Sequence, residues 1–199
     1  MDKVDIERAA HRMADLVVDT PDDLLSGPTP CRDYRLADLL DHISSLSVAF
    51  TAAATKDTAG IGERPPRGDA SQLGDDWRTR IPHELEALAE AWRDPAAWSG
   101  MTLVGGSDLP GEVAGIVGLD ELVIHGWDLA RATGQAYHCD GPTLEVCHGF
   151  VAQFSEPGRE EARARLFGPE LQVAPDAPLL DRVVALSGRD PAWSTPRSR

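Results

Sequence analysis

The sequence predicts an all-α protein, a four-helix bundle with a small C-terminal extension. Two observations carry that prediction. Four long stretches place apolar residues at helical spacing, and segments rich in Gly, Pro and charge, without any period, separate them. Helix-ending residues such as Pro21 and Gly134 fall where the apolar pattern stops.

The first helix spans residues 4–19, with Ile6, Ala9, Ala10, Met13, Leu16 and Val17 on one face and His11 beside it at the surface. Pro21 ends it, because a proline inside a helix removes a hydrogen bond and clashes with the preceding turn. Residues 27–34, G-P-T-P-C-R-D-Y, read as a rigid extended loop, since prolines flank Thr29. Asp33 is the expected N-cap of the next helix, and Cys31 reads as small apolar filling. That second helix, residues 35–56, turns Leu36, Leu39, Leu40, Ile43, Leu46 and Phe50 towards a core. His42 falls on or beside this stripe. Asp38, one turn earlier, is placed to orient its ring, as carboxylates do behind metal-bound imidazoles.

Residues 57–73 read as a surface loop. A third helix, residues 75–93, carries Trp77, Ile81, Leu85, Leu88 and Trp92, with His83 off this spine. Residues 94–109 read as irregular, extended around 101–104, with Asp108 as the expected cap of the fourth helix. The fourth helix runs from Pro110 to Gly134: proline suits a first turn, and glycine tolerates the left-handed conformation that commonly ends a helix. A fifth helix is expected over 142–154, with His138 and His148 in structural roles. Beyond it come a charged segment (159–165), a short strand (171–173) and a helix (177–186) stopped by Gly188. Residues 1–154 thus read as the bundle and 155–199 as the extension.

A formal charge of −14 argues against nucleic acid and anionic membrane surfaces as partners, since both require basic patches. No apolar run is long enough to span a bilayer, and the N-terminus lacks a basic start and apolar core. Three cysteines form no even framework, which fits a reduced, cytoplasmic protein.

The chemistry concentrates in D-E-L-V-I-H-G-W-D-L-A-R-A-T-G, residues 120–134. Glu121, His125 and Asp128 are spaced i, i+4 and i+7 and share one face of an otherwise apolar helix. A buried carboxylate without a partner costs several kcal/mol, and either a cation or a facing arginine relieves that cost. Bundles build metal sites from inward-facing side chains on neighbouring helices. Here these are His42 from helix two and the Glu121/His125 pair from helix four. Two imidazoles and a carboxylate suit Zn²⁺, Ni²⁺, Fe²⁺ or Mn²⁺ better than Ca²⁺, and three protein ligands leave a position open for water or substrate.

T-P-C-R-D-Y with L-L-D-H-I, then L-V-I-H-G-W-D-L-A-R-A-T-G, then S-G-R-D-P-A-W together resemble the DinB-like metal-binding superfamily. More narrowly, they resemble an actinobacterial group related to the N-terminal domain of mycothiol-dependent maleylpyruvate isomerase. The resemblance implies a four-helix bundle holding a divalent metal at one end through His, Glu and His. Motif by motif, these fall on His42, Glu121 and His125. Tyr34 stands where the motif usually has tryptophan. The isomerase also has a larger C-terminal domain completing its active site, for which residues 155–199 offer no clear equivalent. Only the metal centre therefore carries over.

The resulting expectation is a metal-dependent transferase or isomerase, with Zn or Ni as the ion and mycothiol or a similar low-molecular-weight thiol as co-substrate. Its other substrate would be a small electrophile. His42, Glu121 and His125 act as ligands, and Asp128 orients a ligand or bound water. Arg131 and Arg32 are candidates to hold an anionic substrate. The alternative is a non-catalytic metal- or ligand-binding stress-response module. The choice between monomer and homodimer is open.

Overall fold

In the computed structural model, which describes residues 4–59 and 65–195, four long helices form the bundle. They are α1 (Ile6–Val18), α2 (Leu36–Thr55), α3 (Trp77–Arg93) and α4 (Gly111–Thr133). Residues 60–64 of the expected loop lie outside the described residues. α3 and α4 each pack against both α1 and α2, so α1 lies diagonally across from α2.

Hydrogen bonds between helix ends fix the directions. At one end of the bundle, Arg78 at the start of α3 donates to the Val18 carbonyl at the end of α1 (2.9 Å). At the other, Arg93 closes α3 against Glu7 at the start of α1 (2.9 Å). Arg80 near the start of α3 reaches Ser44 in α2 (2.5 Å), and the Trp92 indole near its end donates to the Phe50 carbonyl (3.0 Å). α2 and α3 therefore run in parallel, opposite to α1. Gln135, just past α4, donates to the Leu16 carbonyl near the end of α1 (3.0 Å), so α4 runs with α1.

Because α2 and α3 point the same way, the end of α2 and the start of α3 lie at opposite ends of the bundle. The α3–α4 connection holds an antiparallel hairpin, β1 (Met101–Val104) with β2 (Ser107–Pro110). Asp108 lies in β2 and Pro110 takes the N-cap position of α4, so the expected Asp108 cap is replaced by a strand end. Asp33 likewise does not cap α2: Arg35 takes that position, and its N–H is met by the Asp38 carboxylate (3.1 Å).

The core is the meeting of the four apolar stripes, with Met13, Leu16, Leu39, Leu40, Ile43, Ile81, Leu85, Leu119 and Leu129 almost wholly buried. α4 is buried on nearly every face from Gly118 to Ala130 because α1, α2 and α5 (Gly141–Ala152) all pack on it. Asp140 caps α5 by accepting the Thr143 N–H (3.0 Å).

The C-terminal part differs from its reading in sequence. Residues 171–173 form no strand; only the Leu171 N–H pairs, with the Ala185 carbonyl (3.0 Å). The charged segment is a helix, α6 (Glu160–Leu166), with no buried residue, so no apolar period announced it. α6 is tied by Arg163 to the Gly168 and Leu186 carbonyls. Beside it Phe150, Phe154 and Phe167 pack edge-on, with ring centroids 5.3–6.2 Å apart. α7 (Leu179–Leu186) packs on α5 and adds Val183 and Val184 to the main core. Among the described residues, no helix is long and apolar enough to cross a membrane.

Candidate metal centre

At the end of the bundle where α2 begins, α4 brings Glu121 and His125 beside His42. One ligand atom from each lies within 4.8 Å of the others. The two imidazoles meet edge-on, centroids 4.8 Å apart at 88°. His125 Nε2 faces Glu121 Oε2 at 3.1 Å, and its Nδ1 faces Asp128 Oδ2 at 3.0 Å. Both histidines are buried, at 7% and 5% exposed, and Asp128 is fully buried. The Glu121 side chain is one-third exposed.

Behind Asp128 stands a residue that the sequence analysis did not single out. Arg189, from the turn after α7, sets Nη2 3.0 Å from Asp128 Oδ2 and Nε 3.4 Å from Oδ1. Arg189, Asp128 and His125 thus form a buried relay in which the guanidinium fixes the carboxylate and the carboxylate fixes the imidazole. In the sequence Arg189 stood out only within the S-G-R-D-P-A-W stretch that follows a helix end; the partner lies 61 positions away. Among the described residues, no guanidinium forms an ion pair with Glu121; Arg189 acts on it only through space.

The electrostatics divide the two imidazoles. Burial lowers the pKa of His42 to about 4, helped by His125 and opposed by Glu121, so its ring is neutral at pH 7. Its Nδ1 is buried with no hydrogen-bond partner among the described residues. For His125, burial acts downward, but hydrogen bonds to Asp128 and then Glu121 outweigh it and raise the pKa to about 9. Burial also opposes the charge on Asp128, yet Arg189 and His125 hold it below the usual carboxylate range. A neutral imidazole with an orphaned nitrogen, an ionised glutamate, and an imidazole whose far nitrogen is fixed by a carboxylate form a donor set that fits a divalent ion.

A strap of residues 65–70 covers His42. The Asp69 N–H donates to Asp41 Oδ2 and the Ala70 N–H to Asp38 Oδ1, each at 2.9 Å. Asp38 therefore fastens the strap and does not orient His42. A side chain at Gly68 would put Cβ 2.0 Å from the Asp38 carbonyl oxygen and 3.1 Å from His42 Cβ. Gly68→Ala is expected to lift the strap and destabilise the protein by about 1–3 kcal/mol, the usual cost of overpacking. Urea denaturation reads the loss, and an unchanged midpoint would mean that the strap relaxes freely.

The site opens into a cavity of about 1380 Å³. Tyr34, Cys31, Arg163, Phe167 and Arg189 are among the residues that line it. Burial raises the pKa of Cys31, which keeps it a thiol and agrees with its reading as filling. Arg32 lines the cavity and is exposed. Arg131 is elsewhere: it donates to the Pro191 and Trp193 carbonyls (3.1 and 2.6 Å), holding the C-terminal tail to α4.

Residues 6–130 match the family described as the mycothiol maleylpyruvate isomerase N-terminal domain. Two uncharacterized proteins, from two strains of Mycobacterium tuberculosis, are each 29% identical over 191 residues, covering 92% of this chain and 94% of theirs. Among solved structures, the mycothiol-dependent maleylpyruvate isomerase superposes with a TM-score of 0.56. That match covers 73% of this chain and 66% of the other, and at 16% identity it is a likeness of fold.

Proposed function

The chain belongs to the mycothiol maleylpyruvate isomerase N-terminal domain family, and from that premise we propose that it is a metal- and thiol-dependent transferase or isomerase. The observation that carries this reading is the convergence of His42, Glu121 and His125 at the floor of a large cavity. These three side chains would hold a divalent ion, Zn²⁺ or Ni²⁺ by donor type. Such an ion would lower the pKa of a coordinated low-molecular-weight thiol such as mycothiol, making the sulfur a nucleophile at neutral pH.

The chain's own residues supply the rest. Asp128, fixed by Arg189, keeps the proton on His125 Nδ1 and leaves Nε2 to face Glu121. The strap and the buried ring of His42 exclude water from one side. The open face of Glu121 looks into the cavity, which has room for a thiol and a small electrophile. The reading fits a reducing, cytoplasmic setting.

The test is elemental analysis of protein reconstituted with Zn²⁺ or Ni²⁺, followed by assays on small electrophiles with mycothiol present and absent. About one ion per chain and turnover requiring both ion and thiol are expected. An ion without thiol-dependent turnover would leave a binding module instead, and no ion would remove the proposal.

A pH dependence follows from the two imidazoles. With its pKa near 9, His125 is protonated at pH 7 in the metal-free protein, while His42, near 4, is not. Ion uptake must therefore expel one proton. Apparent affinity should fall about tenfold per unit as pH drops from about 8 to about 6, since ligands bind deprotonated. Chelator competition at several pH values measures the slope, and a flat profile would contradict it.

A further inference from the structure

We propose that Tyr34 is the residue that donates a hydrogen bond to an oxygen-bearing ligand bound at the metal centre. The inference rests on the metal reading above. Its first support is position. The Tyr34 ring lies against the His42 ring, centroids 4.8 Å apart and tilted by 41°, and it lines the same cavity as Glu121 and His125.

Its second support is rigidity. The Tyr34 N–H donates to the Cys31 carbonyl (3.3 Å). The buried Thr29 hydroxyl lies within reach of both the Cys31 and Tyr34 carbonyls, at 3.0 and 2.8 Å. A bridge between Pro28 and Arg35 closes the same turn. T-P-C-R-D-Y is therefore a clamp, and what it presents to the cavity is the phenol. A donor held this way gives up little freedom when a ligand arrives.

The third support is an uncommitted proton. The other tyrosine, Tyr137, gives its hydroxyl hydrogen to the Val123 carbonyl (3.0 Å). Among the described residues, no acceptor takes that of Tyr34. A phenol carries one O–H donor, and here that donor is uncommitted. The cavity that Tyr34 lines is the one that Glu121 and His125 line, so an oxygen bound beside them would share that space with the phenol. Cys31, the neighbouring candidate, offers only a weak S–H donor.

The test compares the wild-type protein with Tyr34→Phe, both loaded with Co²⁺ as a visible stand-in for the ion and titrated with acetate as the oxygen-bearing probe. Phenylalanine keeps the ring against His42 and removes only the hydroxyl. Both forms should take up Co²⁺ alike and unfold at the same temperature, while Tyr34→Phe binds acetate about 3- to 10-fold more weakly, the range for one hydrogen bond. Equal acetate affinity, or no acetate binding to the wild type, overturns the role of Tyr34 and leaves the metal centre standing. Loss of Co²⁺ from Tyr34→Phe alone would make the residue structural and also overturn it. Failure of both proteins to bind Co²⁺ removes the metal reading, and this inference with it.

Discussion

His42→Ala and His125→Ala are each expected to lose the bound ion, with apparent affinity down by more than 100-fold. That exceeds the 10- to 100-fold cost of removing a residue that merely supports a ligand. The two variants should differ in stability. The His42 ring is neutral and its Nδ1 has no partner among the described residues, so its removal strands no charge. His125 lies between two carboxylates, and its loss leaves Glu121 and Asp128 without it. Metal titration should therefore rank the variants alike, while urea denaturation of the metal-free proteins should place His125→Ala below His42→Ala. Retention of the ion by either variant would move the centre elsewhere.

The largest effect on folding is expected at Arg189, a residue that need not touch the ion. Arg189→Met leaves the fully buried Asp128 carboxylate with His125 as its only charged partner among the described residues. Breaking a buried pair from one side costs about 3–5 kcal/mol, because the remaining charge is neither hydrated nor matched. Arg189→Lys should recover only part of this, since an ammonium cannot place two donors on one carboxylate. Chemical denaturation measures both. A loss below about 1 kcal/mol for Arg189→Met would show that Asp128 finds another partner. Ion affinity should fall as well, through the imidazole that Asp128 holds.

The bundle was legible because its signals are local. Apolar spacing located all four long helices, and the face shared by Glu121, His125 and Asp128 follows from counting along α4. The Asp128–His125 contact is three residues long, so helical geometry anticipated it. What escaped was carried by distant pairs or by backbone. Asp38 seemed placed for His42 because both lie on α2, yet its oxygens go to the Arg35 and Ala70 amides. Arg131 looked free to hold an anion, and main-chain carbonyls of the tail claim it. α6 carries its stability in arginine hydrogen bonds and a neighbouring aromatic cluster, and apolar periodicity detects neither.

The contact between Gly168 and Gly188 reaches further than its size suggests. A Cβ on Gly188, whose φ is +87°, would fall 2.6 Å from the Gly168 Cα, and the Gly168 N–H bonds to the Ser187 carbonyl (3.3 Å). One partner follows Phe167, which lines the cavity; the other immediately precedes Arg189. The Phe167 side of the cavity and the brace behind His125 are thus joined here, beside the Arg163 and Leu171 bonds that tie the same segments. A side chain at Gly188 would therefore press on the Phe167 side of the cavity and on the Arg189 brace together.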